Sequence, residues 1–370
     1  MKQKELWINQ IKGLCICLVV IYHSVITFYP HLTTFQHPLS EVLSKCWIYF
    51  NLYLAPFRMP VFFFIFGYLI RRYIDSVPWG NCLDKRIWNI FWVLALWGVV
   101  QWLALSALNQ WLAPERDLSN ASNAAYADST GEFLHGMITA STSLWYLYAL
   151  IVYFVVCKIF SRLALPLFAL FVLLSVAVNF VPTPWWGMNS VIRNLPYYSL
   201  AAKYPSGLLK VLPALGYSKG CFSLRFPASS RIWLLMASLL TVLAVGAWLF
   251  TISLLLSLVS IVVIMKLFYQ YEQQFGMRST SLLNVIGSNT IAIYTTHRIL
   301  VEIFSLTLLA QMNAARWSPQ VELTLLLGYP FVSLFICTVA GLLVRKLSQR
   351  AFSDLLFSPP SLPAAISYSR

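Results

Sequence analysis

Apolar residues run along almost the whole chain in stretches long enough to cross a bilayer as helices, about 17–25 residues each. Such stretches fall near residues 13–30, 47–70, 87–113, 142–160, 163–181, 284–309 and 321–344. Residues 232–265 carry no charge and have room for two spans joined at a tight turn near Gly246, while residues 187–202 are short, broken by Pro196, and hold Arg193. Basic residues collect on the cytoplasmic side of membrane proteins, and that rule selects the count. Ten spans with a cytoplasmic start put most of the 26 Lys and Arg residues inside, and leave outside the loop 114–137, acidic through Glu115, Asp117, Asp128 and Glu132. Without the 187–202 span, Lys203, Lys210, Lys219, Arg225 and Arg231 would be stranded outside. The expected fold is therefore an all-α polytopic membrane protein of about ten transmembrane helices with both termini cytoplasmic. Residues 1–350 form a single integral-membrane domain, and the proline-containing segment 351–370 is expected to be a loosely ordered cytoplasmic tail.

Composition sharpens this picture. The chain is 59% hydrophobic and 10% charged, against about 25% charged in an ordinary globular domain. Its net charge of +14 does not point to nucleic acid, because the basic residues punctuate apolar runs instead of forming a patch on a soluble domain. Seven cysteines, with Cys15, Cys17, Cys157 and Cys337 inside apolar runs, make neither a disulfide framework nor a metal-ligand spacing. The basic, apolar amino terminus lacks a small-residue cleavage site and reads as an uncleaved signal-anchor. The expected location is the plasma membrane, multi-pass, as in a bacterial inner membrane.

Few residues in these spans carry chemistry. Lys12 and His23 are eleven positions apart in the first span, so they share a helix face with an axial separation of roughly 16 Å. An ionisable group near mid-bilayer is costly and marks a functional site by default; the competing reading is a histidine satisfied by a neighbouring helix. The second span holds Arg58 two residues before Pro60 in Arg58-Met59-Pro60-Val61-Phe62-Phe63-Phe64, where the phenylalanines read as packing residues. Arg71, Arg72, Lys85 and Arg86 follow in a cytoplasmic loop, and with Lys12 they form either a phosphate-binding cluster or ordinary topological charge. Trp145, Tyr146 and Tyr148 open the fourth span and also suit an interfacial belt. In the ninth span Asn289, Ile293 and His297 share a face at spacing four, as do Arg298 and Glu302, a pair able to neutralise itself.

The order of these stretches resembles the membrane acyltransferase-3 family. The resemblance rests on a basic residue before a first-span histidine, then Arg-Met-Pro-x-Phe-Phe-Phe ending in Gly67-Tyr68, then Leu144-Trp145-Tyr146-Leu147, then Asn289-Thr290-Ile291-Ala292-Ile293-Tyr294-x-x-His297, over about residues 7 to 300. It implies transfer of an acyl group, typically acetyl, from cytosolic acyl-CoA to a hydroxyl of an extracytoplasmic glycan or similar acceptor. His23 would then be the principal catalytic residue, with Lys12 where relatives usually carry arginine. Asn9, Phe66 and Asn89 stand where relatives often have an aspartate, a small residue and a basic residue.

The residues suit that chemistry on their own terms. Histidine is matched to taking a hydroxyl proton at neutral pH, and Arg58, Asn289 or Tyr294 can stabilise the developing oxyanion. The expected site comprises His23, Arg58 and His297 as catalytic groups. Lys12, Arg71, Arg72, Lys85 and Arg86 would hold acyl-CoA, and Trp145, Tyr148, Asn289 and Tyr294 the acceptor. No metal and no permanently bound cofactor are expected; the partners are membrane lipid, acyl-CoA (acetyl-CoA by the resemblance) and the hydroxyl acceptor. Two other classes remain: a transporter or flippase for an anionic solute or lipid-linked glycan, using Arg58, His23 and His297 as binding or proton-relay groups, and a catalytically weakened relative serving as a membrane partner.

Overall fold

The computed structural model describes residues 6–116, 118, 121–161, 164–203, 253–276, 278–314, 317–351 and 354–360, apart from the side chains of residues 84, 85, 164–166 and 253. The described residues are helical, with no strand among them: α1 (Leu6–Phe28), α2 (Pro38–Tyr53), α3 (Ala55–Asp75), the single turn α4 (Gly80–Cys82), α5 (Asn89–Leu112), α6 (Thr130–Ile138), α7 (Trp145–Ile159), α8 (Ala164–Ala177), α9 (Trp186–Lys203), α10 (Ser253–Phe275), α11 (Leu282–Ser288), α12 (Thr290–Ala314) and α13 (Pro319–Ala351). Among the described residues, six helical stretches are long and apolar enough to cross a membrane: 6–31, 38–75, 86–112, 254–275, 290–314 and 319–351. The shorter apolar helices are 145–159 and 167–177. The proposed first partner of the 232–265 pair lies outside the described residues up to residue 252.

Hydrogen bonds between distant segments fix the direction of each helix. The face where α1 begins, here the near face, also receives the end of α9, whose Lys203 pairs with Asp75 at 2.5 Å. It receives the end of α13 as well, beyond which the Leu355 and Leu356 carbonyls accept from the Trp92 and Trp97 indoles at 2.8 Å each. On the opposite, far face Trp186 at the head of α9 donates to Ser122, and Gln36 donates to Glu322 early in α13. So α9, despite Pro196 within it, runs from one face to the other, and the described ends of the chain lie on the same face.

Three features depart from the sequence pattern. The expected 47–70 span is two helices joined at Leu54, because Pro56 in the first turn of α3 cannot donate and its ring crowds the carbonyl four residues back. That break moves Arg58 from well inside a span to the first turn of α3, still buried at 6% exposure. The ninth span breaks at Asn289, which has left helical geometry (φ −119°, ψ 23°). And the expected loose tail is anchored at its start, since Asp354 accepts from Arg345 at 2.6 Å and Phe357 is buried against Trp97 with ring centroids 5.6 Å apart.

Candidate active site

The site begins at the crossing of α1 with α11. A methyl group on Gly287 would strike the carbonyl of Asn9, and one on Gly13 that of Leu283, so only glycine permits this approach. It sets α12 beside α1 and brings the two mid-span histidines together: the His23 and His297 ring centroids are 5.0 Å apart, with planes at 51°. His297 is fully buried, and its Nδ1 lies 2.7 Å from the Tyr294 carbonyl. A carbonyl only accepts, so Nδ1 carries the proton and the neutral ring's Nε2 is left as an acceptor. That Nε2 is buried with no partner among the described residues. His23 is half-buried, and its ring meets Tyr22 at 5.0 Å. The Arg58 guanidinium lies 3.9 Å over the other side of that interaction, on the Tyr22 ring, a cation–π geometry, with its Nη1 buried and unpartnered among the described residues. Arg58, Tyr22, His23, His297 and Tyr294 thus form one continuous row.

A cavity of about 250 Å³ reaches this row from the near face, lined among others by Phe62, Phe66, Arg86, Asn89, Tyr146 and Tyr294. Tyr294 and Tyr146 meet at 5.5 Å, and Tyr294 meets His297 at 5.7 Å, so the inner end of the cavity abuts the histidines. At the mouth Arg86 lies 4.1 Å over Tyr73, and Arg71 stacks over Tyr68, also at 4.1 Å. Lys12 donates to Asn9 at 3.1 Å and approaches the Phe66 ring at 6.0 Å. Arg72 is exposed on the surface, and the Lys85 side chain lies outside the described residues. Asn9, Phe66 and Asn89, the three positions that depart from the family pattern, therefore all sit at or beside this cavity.

The expected acceptor residues are only partly assembled. Tyr294 lines the cavity, and its hydroxyl donates to the Ser143 carbonyl at 2.6 Å. Trp145 packs instead against Phe63 at 5.7 Å, Tyr148 is half-buried away from the cavity, and between them Tyr146 takes the lining position, stacked on Phe62 at 4.8 Å. Asn289 sits at the helix break, where its side-chain amide donates back to the Val285 carbonyl at 2.8 Å and its own carbonyl accepts from the Ile293 amide at 3.3 Å.

An ionic layer that the sequence showed only in part lies on the far side of the histidines. Glu302, 1% exposed, pairs with Arg298 at 3.0 Å and with Arg116 at 2.6 Å. Tyr126 donates at 2.8 Å to the same Glu302 oxygen that Arg298 pairs with and accepts from Arg298. Burial pushes the Tyr126 phenol up to about 12, so it remains a donor. The Arg298–Glu302 pairing was readable from spacing; Arg116 and Tyr126 arrive from the loop after α5 with no local signal beyond the demand of a buried acid for cations.

Above that layer lies a second opening, a far-face cleft of about 510 Å³ whose walls include Asn123, Tyr126, Asp128, Glu132, His135 and Trp185. Between the two openings runs the turn 140–145. Ala140 holds a left-handed φ of +58°, which is sterically costly for a residue with a Cβ and persists only where the surroundings over-determine it. Here the Ser141 carbonyl accepts from Ala124 at 2.7 Å, and Asn123 donates to the Ser143 hydroxyl at 2.9 Å.

Comparison with known proteins agrees with this architecture. The chain is 90% identical over 370 residues, the full length of both chains, to a protein of Escherichia coli (strain K12) named inner membrane protein YcfT. No solved structure matches it. With several helices long and apolar enough to span a bilayer, it is a multi-pass inner-membrane protein. A family model described as an acyltransferase domain matches residues 5–345, and on that match over nearly the whole chain the protein belongs to the acyltransferase-3 family.

Proposed function

We propose that the protein is an integral-membrane O-acyltransferase that moves an acyl group, acetyl in the simplest case, from cytosolic acyl-CoA to a hydroxyl of an extracytoplasmic glycan or similar acceptor. The observation that carries this reading is the His23–His297 pair, with its unpartnered buried nitrogen, at the inner end of a cavity whose mouth is cationic. His23, whose ring meets that of His297 beside the cavity, is the general base. It takes the acceptor's hydroxyl proton as that oxygen bonds to the thioester carbonyl carbon; the carbon–sulfur bond then breaks and the departing CoA thiolate recovers the proton. His297, fully buried and tied to Tyr294, positions His23, and Arg58 stands one ring away to stabilise negative charge on the carbonyl oxygen. Arg86, Arg71 and Lys12 favour the phosphates of CoA at the mouth.

The near face is cytoplasmic in this reading, and ten spans carry the chain across. Reporter fusions at Asp128 and Lys219 should then mark opposite compartments; a shared compartment overturns the topology. A transporter would need a route between the two openings, whereas the layer of Tyr146, Tyr294 and Ser143 separates them and supports chemistry at the layer. The test is incubation of purified protein with labelled acetyl-CoA and an envelope-glycan extract. Label should enter the glycan with the wild type and not with His23→Ala. Proton-coupled uptake of a solute with no acylated product would put the transporter in its place.

A further inference from the structure

The far-face cleft is not used by the donor chemistry, yet its walls are specific. Trp185 leaves 38% of its surface exposed and meets the His135 ring edge-on at 6.2 Å. Beside it the Trp186 indole is fixed by donating to the Ser122 carbonyl at 3.2 Å. Glu132 is held by its own turn: its amide donates to the Ser129 hydroxyl and its carboxylate accepts from the Asp128 amide, each at 3.2 Å, so the Glu132 carboxylate is presented in a set geometry. An exposed flat ring facing a polar recess suits one ligand chemistry well. A sugar presents C–H groups on one face of its ring, which stack on an aromatic plane, and hydroxyls at its rim, which donate to carboxylates and to imidazole. A lipid headgroup would call for cations, and the cleft offers Asp128 and Glu132 instead.

The cleft also reaches the reaction row by short links. Asn123 in its wall holds the Ser143 hydroxyl, the Ser143 carbonyl holds Tyr294, and Tyr294 carries His297. Tyr126, likewise in the wall, touches both Glu302 and Arg298, one residue from His297.

We propose that this cleft, with Trp185 as its stacking platform and Asp128, Glu132 and His135 as its polar rim, is the docking site for a carbohydrate acceptor, whose hydroxyl enters toward His23 past the 140–145 turn. The inference rests on the acyltransferase reading for its purpose, but its binding step is separable from transfer. Full-length protein in detergent is titrated with the envelope-glycan extract, following tryptophan fluorescence without acyl-CoA, and label transfer from acetyl-CoA is measured in parallel. Trp185→Ala should raise the half-saturating glycan concentration about tenfold or more in both assays while the half-saturating acyl-CoA concentration stays put, a loss of binding shared by ground and transition states. Trp185→Phe should recover most of it, Asp128→Asn with Glu132→Gln should weaken glycan binding likewise, and the surface control Trp111→Ala, 84% exposed on α5, should match wild type. Transfer whose glycan dependence ignores Trp185 overturns the cleft and leaves the transferase standing. Glycan binding lost in Trp185→Ala with no transfer by the wild type overturns the transferase and leaves the cleft. Label found in lipid or peptide alone, or neither binding nor transfer, overturns the cleft assignment.

Discussion

The near-face cavity has about half the volume of the far-face cleft, 250 against 510 Å³, and the two are walled by opposite chemistries. Aliphatic and aromatic side chains, three tyrosines among them, dominate the first, with Arg86 its one charged lining residue; carboxylates, hydroxyls, a histidine and tryptophans line the second. A narrow apolar throat with a cation at its mouth suits a long, thin donor with phosphates at one end. A wide polar recess suits a hydroxylated acceptor. Neither opening holds the histidines, which lie in the layer between, so each ligand can be selected by its own solvent environment and meet the other only at the layer. Changes in that layer should therefore affect everything, and changes in either opening only one substrate.

The largest effect is expected in the layer itself. His23→Ala should lower acyl transfer by about 10²–10⁴, the usual cost of losing a general base, while expression and membrane insertion stay near normal. Full activity in that variant would sink the assignment. His297→Ala, which removes the ring proposed to position His23, should give a smaller loss of rate together with a lower Tm.

Next comes the ionic lid on the layer. Glu302→Gln leaves Arg298, 7% exposed, without a counter-charge, and breaking a buried pair by removing one partner costs about 3–5 kcal/mol. A marked fall in Tm is expected in detergent, and adding Arg298→Gln should recover part of it. An unchanged Tm would mean that Arg116 and Tyr126 are not braced by this carboxylate.

Where sequence pattern was informative, the physics was local. The apolar runs announce helices because a bilayer imposes length and composition, and both mid-span histidines stand out because few ionisable groups are tolerated there. What stayed hidden depended on tertiary phase. Spacing ran one helix through Asn289 to His297, but the chain leaves helical geometry at Asn289, and a break at a polar C-cap is hard to read within an otherwise apolar span. Arg116 and Glu302 pair across 186 residues, a distance over which periodicity says nothing. The cationic cluster proved uneven for the same reason: Arg86 lines the cavity, whereas Arg72, in the same basic run, points to the surface.

That unevenness makes a graded test of the near-face opening. Loss of a hydrogen bond to a charged group costs about 1.5–3 kcal/mol, so Arg86→Ala should raise the half-saturating acyl-CoA concentration by about ten- to a hundredfold and leave the glycan dependence alone. Arg72→Ala should change neither. Equal effects from both would assign these charges to topology alone.

The finest test concerns the rotation of α7, which decides whether Tyr146 or its neighbours face the donor. The Tyr146 hydroxyl is buried with no partner among the described residues, and leaving such a group unsatisfied costs about 1–3 kcal/mol. Replacing it by Phe should therefore leave Tm unchanged or slightly raised. The same hydroxyl is one of the few polar groups along an apolar throat, so Tyr146→Phe should still weaken acyl-CoA use by a few-fold. Tyr148→Phe, away from the cavity, should fall within about 0.5 kcal/mol in stability and show no change in kinetics. If Tyr148→Phe were the impaired variant and Tyr146→Phe the silent one, α7 would be turned by roughly two positions, and the throat would run along its other face.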